Sequence, residues 1–431
     1  MAPKDSFRAV PRTIVRRIAA IVLIAVVVIV AVVLVRGAGR RGPTTVLLPA
    51  ATASGEPEPA SHISFLERLI PPPAETFAGP RAPRSISDLA QRLPLDRAVA
   101  QLLLLGFDGK DATVPIFGEL QRLDIGGLVL DGRNYTSAQQ LAGLTARLRT
   151  TAASAKHIPP WVMAEQDGGD YSSFGDLPPS KAPGDSGGAA RAAAALRQAA
   201  ATLKALGING LLEPDLDVAD SDGILGTQAL SARPAAVADY ARRTVAACES
   251  LRLFCAAKHF PGIGAADTPT DQGPAQVGLS LAQLMQRDVV PFAAAIKAGI
   301  PGLVIGEAMY EPDDFVTPAA VSPEIIGRLL RRQLRFGGLA ITDDLADPGV
   351  SSFAQVPDAA VDAIKAGADM VYISGGLSDQ ESAYAALLNA VRAGQIPESR
   401  VRQALLRVLV AKSRYGLLVS APQKSGRARY L

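Results

Sequence analysis

Histidine, cysteine and tryptophan are scarce in this chain: 431 residues contain three, two and one of them. Aromatic residues reach only 5%, against a background rich in Ala, Gly, Leu and Val. That mixture suits an α/β protein rather than an all-β one. The two cysteines, Cys248 and Cys255, lie seven residues apart across an expected helix end and strand. They allow one short disulfide in an oxidising compartment, or two buried thiols. No GxGxxG fingerprint and no P-loop occur, which weakens a nucleotide-binding open sheet. Basic charge is lacking from most of the chain. Eight of the 44 basic residues, but only one of the 41 acidic ones, fall within residues 1–41. The remainder is slightly acidic, so nothing argues for a nucleic-acid surface.

What the chain does have begins with residues 18–35, IAAIVLIAVVVIVAVVLV. Eighteen apolar residues make a helix of about 27 Å, close to the ~30 Å hydrocarbon core of a bilayer. Five basic residues precede the run and three follow it, which favours a cytoplasmic N-terminus and an exported body. A cleaved signal peptide fits less well. The run is long for one, and the following VRGAGRR is too basic for a cleavage site. The expected organisation is therefore a basic segment 1–17, a signal anchor 18–35 and a Pro/Ala-rich tether 36–84. One folded domain, 85–418, and a loose basic tail, 419–431, complete it.

From residue 85 short apolar runs alternate with longer amphipathic ones. Candidate strands are 100–106, 127–130, 161–164, 210–212, 253–257, 302–305, 339–342 and 370–373. Eight strand–helix alternations over one domain predict a closed (β/α)8 barrel, with a doubly wound open sheet as the runner-up.

In such a barrel the chemistry sits at the C-terminal ends of the strands. The polar groups just past each candidate strand include Asp131, Asn134, Glu165, Gln166, Asp167, Asp215, Asp217, Lys258, His259, Asp271, Glu307, Asp343 and Asp344. The rim is rich in carboxylates and holds one Lys–His pair. His259 is its only histidine, which gives a zinc site little support; a Mg²⁺ site stays open on this inventory. Glycoside hydrolysis needs two carboxyl groups flanking a sugar, with polar groups gripping its hydroxyls, and the rim supplies both in excess.

Several motifs carry a family resemblance. KHFPGIG at 258–264 resembles the KHFPGHG signature of glycoside hydrolase family 3, in its bacterial β-N-acetylhexosaminidase branch. AITDDL at 340–345 resembles that family's nucleophile motif, EQDGG at 165–169 its DQEGG, and LGINGLLEPDLDV at 206–218 a further segment. The resemblance spans about residues 86–418 in order. It implies a barrel and a retaining, exo-acting hydrolase for a terminal amino sugar; separately, the chain is expected to work as a monomer without cofactor or metal. Asp343 falls on the nucleophile position, and Asp344 is expected to be structural. Lys258, His259, Glu165, Asp217 and Gln228 fall among the substrate-binding positions.

The departures are as informative. The branch's loop ends in Asp-Ser-His, whose histidine is the general acid/base; here the aligned residues are Pro269, Thr270 and Asp271. Asp271 becomes the candidate acid/base, since a carboxyl group of raised pKa can do this work. Two arginines expected by the resemblance are replaced by Ser173 and Gln228. The alternative expectation is a glycan-binding or scaffold barrel that has lost catalysis.

Overall fold

The computed structural model describes residues 82–418. The apolar run 18–35, the tether up to residue 81 and the tail 419–431 lie outside the described residues. Among the described residues no helix is long and apolar enough to cross a membrane.

Eight parallel strands close into a barrel in simple sequential order. They are β1 Leu103–Leu105, β2 Gly127–Leu130, β3 Trp161–Ala164, β4 Gly210–Leu211, β5 Phe254–Phe260, β6 Gly302–Ile305, β7 Leu339–Asp344 and β8 Met370–Ile373. Leu103–Leu105 pair with Val371–Ile373, so β1 meets β8 and no edge remains. Parallel strands covered on both faces should read as continuous apolar runs rather than alternating ones. GLVL, WVMA and MVYI do so, and every residue of these three strands is buried.

Several strand boundaries differ from the sequence expectation, three of them in a useful way. The first candidate strand began at Ala100, yet Leu95–Ala100 is helical and only Leu103–Leu105 is extended. The one polar residue between them, Gln101, is itself fully buried, so hydropathy does not mark the break. Meanwhile β5 and β7 run further than expected, to Phe260 and Asp344. Among all eight strands, His259 and Asp343 are the two residues that are only half-buried. Both stand at the C-terminal ends of their strands.

The opposite end of the barrel is closed by charge and aromatic packing. Asp369, at the start of β8, is fully buried and takes hydrogen bonds from Arg331, Arg400 and Arg407. These arginines come from the helix Pro323–Gln333 and the last helix, Glu398–Arg414. Their charges hold the Asp369 carboxyl below its usual range although burial opposes this. Beside them Trp161, Phe254 and Tyr415 pack together, with ring centroids 4.8 Å apart for the first pair and 5.7 Å for the second.

Cys248 and Cys255 form a disulfide that joins the end of the helix Pro234–Leu251 to β5. It settles the sequence alternatives in favour of the bridge. Closing so short a loop stabilises by about 2 kcal/mol on chain-entropy grounds. Reduction, or Cys248→Ser with Cys255→Ser, is expected to lower the melting temperature by several degrees in a thermal scan. An unchanged midpoint would show that the bridge adds no stability.

Candidate active site

The extension of β5 places the site. Beyond β4 the chain continues beside β5: Lys258 N–H donates to Pro214 O at 2.9 Å, and Leu216 N–H to Lys258 O at 2.7 Å. This pairing sets Asp215 and Asp217 against Lys258 and His259. Gly262 then turns the chain with φ +124°, and a Cβ there would lie 2.5 Å from Asp288. The glycine of KHFPG is thus required by both backbone and space.

A cavity of about 490 Å³ opens over the C-terminal ends of the strands. Glu165, Gln228, His259, Asp271, Asp343 and Asp347 are among the residues lining it.

Two layers of charge support this cavity. The deeper one is centred on Lys258, only 1% exposed. Its Nζ donates to Asp167 at 2.9 Å and to Glu165 at 3.2 Å, with Glu213 at 3.8 Å. Gln228 Nε2 donates to the same Asp167 oxygen at 3.1 Å. Burial alone would raise Asp167, but the Lys258 charge, helped by hydrogen bonds from Glu213, Lys258 and Gln228, brings it below its ordinary value. Glu213 is pushed well up, by burial first and by ionised Asp167 next, so it carries the proton of this pair.

The upper layer is centred on His259. Its Nδ1 lies 2.7 Å from Asp217 Oδ2, and its Nε2 lies 3.7 Å from Asp343 Oδ2. Burial disfavours the imidazolium, yet the charges of Asp217, Asp343 and Asp215 push the ring up to about 10. At neutral pH the ring is therefore cationic: Nδ1 donates to Asp217, while Nε2 carries a proton but stands too far from Asp343 for a hydrogen bond. Asp215, Asp217 and His259 offer atoms within 4.8 Å of one another. The trio reads as an ion-pair network. Asp217 is fully buried, and its other oxygen accepts from Ile263 N–H at 2.7 Å. It reaches the cavity only through His259.

Asp343 closes the arrangement. Its carboxyl is pushed up to about 6, by burial first, with His259 and Lys258 opposing and Glu165 and Asp344 assisting. It stays ionised at neutral pH, half-buried, beside a cation it does not fully engage. Asp344 is committed to the backbone, accepting from Ala346 N–H at 3.0 Å and Ser374 N–H at 2.9 Å.

The expected site residues thus come together. Asp343, His259, Glu165, Gln228 and Asp271 line one cavity; Lys258 and Asp217 stand directly behind it. Asp271 is exposed on the cavity wall. Sequence reasoning passed over Glu213, Arg133 and Asp347. Arg133 lines the cavity wall, held by Asp131 through a contact of 2.7 Å. A Glu before Pro214 and an Asp past the TDD motif read as ordinary loop text, and only spatial proximity marks them.

Residues 94–411 match the glycosyl hydrolase family 3 N terminal domain. The chain belongs to this family. Over 285 residues it is 30% identical to a beta-hexosaminidase of Nitrosomonas eutropha, covering 63% of this chain and 80% of that one. Over 330 residues it is 26% identical to beta-hexosaminidase A of Pseudoalteromonas piscicida. That match takes in 68% of this chain and 54% of the relative, so the chain spans about half that relative's length. Among solved structures, the family 3 beta-N-acetylglucosaminidase from Paenibacillus sp. str. FPU-7 superimposes with a TM-score of 0.71 at 29% identity. The superposition covers 78% of this chain and 65% of that one. These likenesses support the barrel and its membership of the family.

Proposed function

We propose that this chain is a retaining glycoside hydrolase that removes a terminal β-linked N-acetylglucosamine or a related sugar from cell-wall fragments or exported glycans. One observation carries the reading: His259 and Asp343, the two half-buried strand residues among those described, face each other at 3.7 Å in one cavity. Asp343, ionised and aimed into the cavity, attacks the anomeric carbon to form a glycosyl-enzyme. Cationic His259 and the ammonium of Lys258 hold that carboxylate in its charged form, and His259, which lines the cavity, presents a donor to a sugar oxygen. Asp217 orients His259, and Gln228 steadies Asp167 behind Lys258. Glu165, whose side chain is 35% exposed while one oxygen is held by Lys258, has its outer oxygen free for a sugar hydroxyl. Membrane tethering through residues 18–35 belongs to the same proposal, on the length and flanking charge of the run.

The test is hydrolysis of chromogenic β-glycosides by the full chain, with the product's anomer followed by NMR. The expected result is release of β-configured N-acetylglucosamine. Glycan binding without any turnover would instead favour the non-catalytic barrel, and an α-configured first product would exclude the retaining mechanism.

A further inference from the structure

The retaining reading needs a proton donor as well as a nucleophile, and this inference rests on that reading. Asp271 is solvent-exposed. A different carboxyl group is better placed. Asp347 lines the same cavity as Asp343 and is half-buried. It occupies the N-cap of the short helix Pro348–Ser351, where an aspartate normally accepts a backbone N–H, yet its side chain makes no cap hydrogen bond. No hydrogen bond or ion pair to its carboxyl is found among the described residues, so the group is free for a ligand.

Its position is rigid. Asp347 N–H donates to Asp344 O at 3.0 Å, while Asp344 is itself pinned to Ala346 and Ser374. Gly349 N–H donates to Thr270 O at 2.9 Å, fastening the 263–275 loop to the turn that carries Asp347. Beneath that turn lies Glu307, 1% exposed, with neither carboxyl oxygen hydrogen-bonded. A Cβ on Gly349 would sit 2.5 Å from Glu307 Oε2, so the turn packs directly onto this acid.

We propose that Asp347 is the general acid/base of this enzyme, taking the part that the sequence assigned to Asp271. In the first step protonated Asp347 gives its proton to the glycosidic oxygen as the C1–O bond breaks and Asp343 bonds to C1. The aglycone leaves as a neutral alcohol. In the second step the Asp347 carboxylate takes a proton from water. The water oxygen attacks C1, and Asp343 departs as a carboxylate.

The surroundings suit this task. Burial, then the charges of Asp344, Asp343, Asp271 and Glu165, push Asp347 up to about 7. Glu307, raised well above its ordinary range by burial and by the carboxylates of Asp343, Asp347, Asp344 and Asp271, stays neutral and adds no charge. The cations of the site, Lys258 and His259, are spent on Asp167, Glu165, Asp217 and Asp343, and Arg133 on Asp131 and Asp108. Asp347 therefore holds its proton near neutral pH and can release it there.

The experiment compares wild type, Asp347→Asn and Asp271→Asn of the full chain. Substrates are a 2,4-dinitrophenyl and a methyl β-N-acetylglucosaminide, with and without sodium azide. Asp347→Asn is expected to lose roughly 10²–10³-fold in kcat/KM on the methyl glycoside, as removal of an acid catalyst does. It should keep most of its glycosylation rate on the dinitrophenyl substrate, whose leaving group needs no proton. Azide should then restore turnover and yield a β-glycosyl azide. The alkaline limb of the wild-type pH profile, near pH 7, should disappear in Asp347→Asn and remain in Asp271→Asn. Equal losses on both substrates without azide product would overturn the proposal, as would the azide signature appearing in Asp271→Asn. A wild-type chain inactive on both substrates would sink the hydrolase reading itself. An active wild type with an indifferent Asp347→Asn sinks this inference alone.

Discussion

Asp343→Ala is expected to abolish turnover, by on the order of 10⁴–10⁶-fold, the range seen when a covalent nucleophile is removed. The loss should be the same for good and poor leaving groups, because no glycosyl-enzyme can form on either. Azide should give an α-glycosyl azide, by a single inversion into the space the carboxylate vacates. That anomer is opposite to the one expected for Asp347→Asn, so the two roles are told apart by one product analysis. The variant should also remain folded. Asp343 accepts only the N–H of Asp344, at 3.1 Å, and its burial together with the charges of Glu165 and Asp344 outweighs the pull of His259 and Lys258. Removing it relieves like-charge repulsion, so the melting temperature should hold or rise. Its acid-limb counterpart is visible in the wild type: activity should fall as pH drops through about 6, where Asp343 takes up a proton. A variant that retains wild-type activity would overturn the assignment outright.

The parts of this site that could be read from the sequence are those where chemistry and strand ends coincide. KHFPG and TDDL lie on the last residues of β5 and β7, so a barrel reading already sends Lys258, His259 and Asp343 to one rim. The apolar strand runs were equally legible, because full burial on both faces leaves little choice of residue. What could not be read was set by contacts between distant segments. Glu213 matters because β3 and β4 bring it to Asp167 and Lys258, a meeting of three loops that no local pattern announces. Asp271 takes the histidine's place by order along the loop, and it does line the cavity, though exposed. In the structure the loop is drawn down at Ala266, which bridges to Val277, and at Thr270, which holds Gly349. That anchoring leaves Asp271 exposed and brings the unread Asp347 to the cavity wall.

Lys258→Met should be the most destabilising single change in the site. The side chain is an ammonium with 2% exposure, compensating Asp167 and Glu165 directly, with Glu213 nearby. Breaking a buried pair by removing one partner typically costs about 3–5 kcal/mol, because the other charge is left unpaired in a poorly solvated place. Methionine matches the stem in length and keeps the packing, so the loss isolates the charge. Its pH dependence has a definite sign. In the wild type Asp167 lies below its ordinary value, so its pairing contributes stability above the unfolded pKa and loses it as pH falls through the folded one. In Lys258→Met the same buried carboxyl lacks its cation and rises above the unfolded value. The penalty is then absent below about pH 4, the unfolded aspartate range, and complete once pH exceeds the raised pKa. Urea titrations at pH 4.5 and 8 should therefore show a smaller gap from wild type at the lower pH. Lys258→Arg should not rescue the variant, since a guanidinium is broader and its fork does not fit a slot shaped for one nitrogen among three carboxyls. A gap of equal size at both pH values would mean that lost packing, not unpaired charge, explains the damage. The buried ion cluster would then have no part in keeping Asp167 ionised behind the sugar site.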